Sequence, residues 1–168
     1  MTADYWLEIA RGTIEAAEYC FLITQGESDW ANVRLMQPFK PKEDLTIWFG
    51  ANPKSRKVRE IGQNDQVAVS YENPREHAYV TLLGHARTES NVNERRKYWR
   101  QEWARFWPQG PESNDYVLIK FVPSRIELMN ISRNVAPDAR TKPAVLVRVD
   151  EGWVIEDDVN SNQSSQDL

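Results

Sequence analysis

Cysteine occurs once, at Cys20, and histidine twice, at His77 and His85. One cysteine excludes an internal disulfide, and with only two histidines beside it neither a cysteine cluster nor a multi-histidine metal centre can form. Cys20 lies in the apolar run YCFLI and reads as a buried thiol. No stretch approaches the length needed to span a bilayer, and the opening MTADYWLEIARG has neither the cationic nor the apolar region of a signal peptide. A cytoplasmic protein without a membrane partner is the expectation. An excess of positive charge is lacking too: the formal net charge is −4, which argues against a general nucleic-acid binder. There is no internal repeat.

What is present fits one globular domain. The 168 residues are 40% hydrophobic and 27% charged, enough for a substantial core. Seven tryptophans stand out, because side chains of that size need a core or an interface to cover them. Apolar spacing predicts a helix over 4–17, then strands over 19–25 and 32–37 separated by the turn GESD. A third strand is expected over 45–49 and a helix over 54–63, with Val58 and Ile61 facing inward. Strands follow over 67–72 and 78–88, the second bent at Gly84. An Arg- and Trp-rich helix is predicted over 91–107, with Tyr98, Trp99, Trp103 and Phe106 packing on a sheet. Strands over 116–122 and 125–130 are separated by a bend at Pro123-Ser124. A hairpin over 144–156 turns at Asp150-Glu151-Gly152. Residues 157–168, polar and nearly without apolar anchors, are expected to be disordered, which leaves 1–156 as the domain. Several strands carry apolar residues on both faces (LTIWF, VAVSY, YVTLL, VLIKF). A closed or nearly closed, mainly β barrel with three flanking helices accounts for them.

The stretch IWFGANPKSRKVREI, residues 47–61, concentrates the chemistry. An apolar run breaks at Gly50 and turns through Ala51-Asn52-Pro53 into a cationic helix. Asn52 is the expected N-cap and Pro53 the first helical residue, leaving the N–H groups of Lys54, Ser55 and Arg56 at the helix mouth. Free N–H groups, the positive end of the helix dipole, a hydroxyl and adjacent cations make a phosphate seat. Lys54, Arg56, Lys57 and Arg59 against Glu60 amount to a local +3. Cations at a helix N-terminus oppose the dipole, so an anion is needed to offset them. A merely solvated basic turn is the competing reading.

These motifs, in order, resemble the pyridoxamine 5′-phosphate oxidase-like superfamily. The resemblance is carried by Arg34 in NVRLM, by NP-x-SRKVREI, by the strand HAYVTLLGHAR, and by a Trp-rich segment ending FWPQGP before VLIKFVPSRIEL. It covers about residues 5–130, and the general stress protein 26 group is the most similar branch. It implies a mostly antiparallel split β-barrel that forms homodimers, with FMN in a groove at the subunit interface. Arg34, with the backbone of Leu35 and Met36, would lie along the flavin and help to hold its phosphate end. Gly50 and Ala51 occupy the place of an aromatic or hydroxyl pair. Ser55, Arg56 and Lys57 match the phosphate-binding SRK. Trp107 would approach the ring system across the dimer. The chain departs from true pyridoxamine phosphate oxidases at Tyr79, where they have a glutamine, and at Glu127-Leu128-Met129, where relatives have Glu-Tyr-Trp. It also lacks a counterpart of their substrate-phosphate arginines, so that particular oxidation is not expected.

FMN carries its own redox chemistry, so the protein need supply only binding, orientation and electrostatics. Consistent with this, the sequence shows no catalytic triad. His85 reads as a packed or exposed residue and His77 as exposed. Met36 and Met129 read as core fillers. Arg95, Arg96, Lys97 and Arg100 read as a solvated face. Three functions follow from the resemblance: an FMN-dependent oxidoreductase on an unidentified small molecule; a non-catalytic flavin-binding or stress-response protein; or a related split barrel using deazaflavin or haem.

Overall fold

The computed structural model describes residues 1–26, 30–136, 142–150 and 152–157. Among them are three α-helices and eight strands: α1 (Ala3–Glu15), β1 (Cys20–Gln25), β2 (Ala31–Met36), β3 (Ile47–Ala51), α2 (Arg56–Gln63), β4 (Gln66–Asn73), β5 (Ala78–Glu89), α3 (Val92–Lys97), β6 (Val117–Asn130), β7 (Ala144–Val149) and β8 (Gly152–Ile155). The strand order is β2-β1-β4-β5-β6-β7-β8, with β3 paired to β6 off this path. The β1–β2, β3–β6, β6–β7 and β7–β8 pairings are antiparallel. This is the mainly β, split-barrel class that the sequence suggested. The hydrogen-bonded path is not closed, since it ends at β2 and β8. Among the described residues no helix is long and apolar enough to cross a membrane.

The chain divides into two compact units. The first comprises Met1–Glu18, Val69–Leu83 and Pro123–Leu168. Here Thr2 caps α1 by accepting the N–H of Tyr5, and Ala10, Thr13 and Ile14 form the buried stripe of a helix that packs on β7 and β8. Burial, and then the charge of Glu127, push the Tyr79 phenol up from its ordinary value. The 144–156 hairpin pairs Val149 with Gly152, its Glu151 lying outside the described residues. Of the 157–168 tail only Asp157 is described, its carboxylate 2.9 Å from Lys142 Nζ. The expected disorder of the rest, and most of the GESD turn, likewise lie outside the described residues.

The second unit comprises Tyr19–Ala68 and Gly84–Val122. Its core is aromatic. Trp48, Trp103, Tyr116 and Leu118 are buried together, with Phe39, Tyr98, Trp99 and Trp107 packed around them. Trp48 and Tyr98 stack at 4.6 Å between centroids, and the other ring pairs meet edge-on or tilted at 5.0–6.3 Å. Arg100 lays its guanidinium over Phe39 and Trp103.

This packing corrects three expectations. The strand does not break at Gly50: β3 continues through Gly50 and Ala51, which pair with Leu118 and Val117. A β-carbon on Gly50 would come within 2.4 Å of the Trp103 ring, so glycine is what lets the indole lie on the strand. The expected 91–107 helix is also interrupted. After α3 the chain is extended at Arg100 and resumes as a 3-10 turn over Gln101–Arg105. The Tyr98 carbonyl, which an uninterrupted helix would bond to residue 102, instead accepts the Tyr116 hydroxyl. Arg100 donates to the Pro38 carbonyl at 2.6 Å. Phe106, expected in the packing stripe, is 61% exposed as a result. Finally, the two strands expected on either side of Pro123 are one strand. β6 pairs with β3 over 117–121 and with β7 over 125–128. Pro123 falls between these registers, where its missing N–H interrupts neither.

Substituting Gly50→Ala should force the Trp103 ring aside and lower stability by about 1–3 kcal/mol, the usual cost of overpacking. A denaturation midpoint and tryptophan emission unchanged from the wild type would contradict this packing.

Candidate functional site

The N-cap of α2 lies three residues later than the sequence suggested, at Ser55. Asn52 does not cap the helix. Its side-chain oxygen accepts the N–H of Lys54 at 2.8 Å and its carbonyl accepts the N–H of Ser55, closing an Asn-Pro turn ahead of the helix. Ser55 is the N-cap residue, and its carbonyl takes the N–H groups of Val58 and Arg59. Among the described residues this leaves the N–H groups of Arg56 and Lys57 as the unpaired donors of the first turn. The hydroxyl of Ser55 is buried and has no hydrogen-bond partner among the described residues. An N-cap serine ordinarily spends its oxygen on the helix, but here it makes no cap bond. Lys57 is half-buried and makes no ion pair or hydrogen bond among the described residues. Burial, and then the nearby Arg34 charge, pull its ammonium below the usual lysine range.

Beneath this turn lies the charge of Glu60, which in the sequence only offsets the cations. Glu60 faces inward with Ile61, 3% exposed, while Val58 is only partly covered. α2 packs on β1. The Glu60 carboxylate accepts the Thr24 hydroxyl at 2.5 Å and the Asn32 amide at 2.8 Å. It also pairs with Arg34 Nη2 at 2.9 Å and with Arg56 Nε at 3.4 Å. Arg34 gives its Nη1 to Thr24 Oγ1 at 2.6 Å and to the Leu22 carbonyl at 3.4 Å. The strand register places these groups together, because Leu22 is opposite Arg34 and Thr24 opposite Asn32 on one face of β1–β2. Burial alone would raise the Glu60 pKa. The hydrogen bonds from Thr24 and Arg34, with the charges of Arg34 and Arg56, outweigh it and hold the carboxyl below the usual glutamate value. A sequence signal for Glu60 existed: polar residues at alternate, core-facing positions of two paired strands require a buried partner.

Of the residues singled out in the sequence, Arg34, Ser55, Arg56 and Lys57 thus gather around the first turn of α2. Leu35 and Met36 lie on β2, at the end of the strand order, with Leu35 59% exposed. Gly50 and Trp107 belong instead to the aromatic core, where the indole N–H of Trp107 donates to the Asp115 carbonyl at 2.7 Å. Ala51 is buried. His85 is exposed beside Asp65, and His77 is exposed in a left-handed conformation.

Because the folded-state pKa of Glu60 is depressed, its stabilising contribution is full above the unfolded glutamate value and is lost as pH falls through the folded one. Glu60→Ala, which orphans the Arg34 guanidinium, should cost ~3–5 kcal/mol at neutral pH. In Glu60→Gln the decline in stability below roughly pH 4.3 should be shallower than in the wild type. Denaturant titrations across that range check both, and parallel declines would exclude Glu60 as their source.

Comparison with known proteins places this arrangement. The family described as pyridoxamine 5′-phosphate oxidase like matches residues 8–135. No curated protein matches the sequence significantly. Among solved structures, a protein related to general stress protein 26 from Clostridium acetobutylicum is similar with a TM-score of 0.68 at 17% identity, covering 79% of this chain and 92% of that one. General stress protein 26 of Bacillus anthracis is similar at 26% identity and a TM-score of 0.63, covering 74% and 94%. A pyridoxamine 5′-phosphate oxidase-related, FMN-binding protein of Nostoc punctiforme has a TM-score of 0.58 at 15% identity, covering 91% and 93%. With its split-barrel strand order, its SRK helix start and a family match over most of its length, the chain belongs to the pyridoxamine 5′-phosphate oxidase-like family.

Proposed function

We propose that the chain binds FMN, with the cofactor's phosphate on the first turn of α2, and acts as an oxidoreductase on a small molecule. The observation that carries this reading is the buried, unpartnered hydroxyl of Ser55. It stands beside the N–H groups of Arg56 and Lys57 and the half-buried ammonium of Lys57, none of which has a partner among the described residues. A phosphate oxygen would satisfy each of these at once: an acceptor for the hydroxyl, for the N–H groups and for the two cationic side chains. Apart from the Ser55 oxygen this set consists of N–H donors and cationic side chains, so the fit is to an anion.

When bound, FMN supplies electron transfer at its isoalloxazine. The chain's own residues bind and orient it. Ser55, Arg56 and Lys57 would hold the phosphate, and Arg34 would stand behind them as a fixed positive charge. In this reading the backbone at Leu35 and Met36 runs along the flavin, Gly50 and Ala51 contribute main chain, and Trp107 offers an aromatic face. A homodimer belongs to the same proposal. The outer face of β1–β2 leaves Tyr19, Phe21, Val33 and Leu35 exposed beside the unpaired edge of β2, an apolar ladder of the kind that a second subunit covers.

Replacing Arg56 and Lys57 together by Ala should weaken FMN binding at least about tenfold, since one charged hydrogen bond is worth roughly 1.5–3 kcal/mol. Riboflavin, which has no phosphate, should bind both proteins alike, and an unchanged FMN titration would remove the seat. Lys57 must be charged to hold the phosphate. FMN affinity should therefore fall as pH rises through its lowered pKa, below the ordinary value of about 10.4, and Lys57→Ala should flatten that profile. Reduction of the bound flavin by NADH or NADPH, followed by reoxidation with a defined acceptor, is the outcome that separates an oxidoreductase from a flavin-storing protein.

A further inference from the structure

We propose that Glu60 is the positioning residue of the phosphate seat: its buried carboxylate fixes the orientation of Arg34 under the first turn of α2 and leaves part of the guanidinium free for an anion. The inference rests on the flavin reading for its ligand, but on the geometry of this chain for its substance.

Four polar groups converge on this one carboxylate, from β1, β2 and α2 itself. A buried ion pair gives little net stability over an apolar pair of the same shape. Its hydrogen bonds specify an orientation instead. Of the five guanidinium N–H donors of Arg34, two on Nη1 go to Thr24 and Leu22 and one on Nη2 goes to Glu60. The Nε–H and the second Nη2–H remain. Neither has a partner among the described residues, and the Arg34 side chain that carries them is only 17% exposed. Thr24 joins the two partners, accepting from Arg34 while donating to Glu60.

The backbone is adapted to this contact as well. A β-carbon on Gly26 would lie 2.7 Å from Asn32 Nδ2 and 3.0 Å from Glu60 Oε1, so glycine at that position leaves room for the Asn32–Glu60 pair to close. Reach is the critical property of Glu60. A side chain one methylene shorter keeps the charge but cannot hold Thr24, Asn32 and Arg34 together. Glutamine keeps the length, and with the Asn32 amide turned over it retains an acceptor for Arg34.

The test compares Glu60→Asp and Glu60→Gln with the wild type by FMN and riboflavin titration and by hydrogen exchange at the Arg34 guanidinium, followed by 15N NMR. In Glu60→Asp, FMN should bind at least about tenfold more weakly, the loss of roughly one charged hydrogen bond, with riboflavin affinity unchanged and Arg34 exchange accelerated. Glu60→Gln should restore FMN affinity to within about threefold of the wild type. The proposal is overturned if Glu60→Asp leaves the FMN-to-riboflavin ratio unaltered, if it weakens both ligands equally as a purely structural defect would, or if Glu60→Gln restores nothing. Should the wild type bind no FMN, the flavin reading fails by itself. Arg34 exchange then still decides the positioning role: slow in the wild type and fast in Glu60→Asp supports it, and fast in both overturns it.

Discussion

A carboxylate withdrawn from water beside a guanidinium must be either fully hydrogen-bonded or neutralised, and Glu60 takes the first course. That requirement organises the first turn of α2. Glu60 ties the helix to β1 and β2 through Thr24, Asn32 and Arg34, so the helix can begin with three consecutive residues that would otherwise be poorly placed. Arg56 and Lys57 oppose the helix dipole, and Ser55 leaves its hydroxyl without a partner. A helix anchored only by an apolar stripe as short as that of α2 would have little with which to offset these costs.

The aromatic core of the second unit solves a different problem with the same means, a side chain competing with the main chain for hydrogen bonds. Tyr116 takes the Tyr98 carbonyl, and buried Arg95 takes the carbonyls of Ser113 and Tyr116 at 2.8 and 3.0 Å. Once the Tyr98 carbonyl is committed and Arg95, expected on a solvated face, is drawn inward to Ser113 and Tyr116, a continuous helix from 91 to 107 is no longer the best arrangement of the segment. The rings of Trp99, Trp103 and Trp107 can then meet edge-on around Tyr116. Burial accordingly pushes the Tyr116 phenol far up from its ordinary value, so it serves as a hydroxyl donor across the physiological range.

Membership of the pyridoxamine 5′-phosphate oxidase-like family and the geometry of this chain bear on each other at one point. The matched segment, residues 8–135, contains the whole of α2 and both strands that hold Glu60. The resemblance directs attention to Ser55, Arg56 and Lys57, whereas the packing directs it to the acid beneath them. The two readings meet at Arg34, which the resemblance associates with a ligand and the structure binds first to its own protein.

The local pattern of the chain was enough to place most of the elements. Period-two apolar runs, turn residues around Pro53 and Gly152, and helical spacing over 4–17, observed as Ala3–Glu15, all correspond to structure, because each depends on neighbours a few residues away. The basic helix start was legible for the same reason. The break after Lys97, the passage of β6 through Pro123 and the burial of Glu60 were not. Each is decided by a partner distant in sequence: Tyr116 for Tyr98, β3 and β7 for β6, Thr24 and Arg34 for Glu60. Whether a charge so close to three cations faces water or the core depends on what the opposing strands present. Only folding, which sets Thr24 against Asn32 and Leu22 against Arg34 under the helix, supplies that answer.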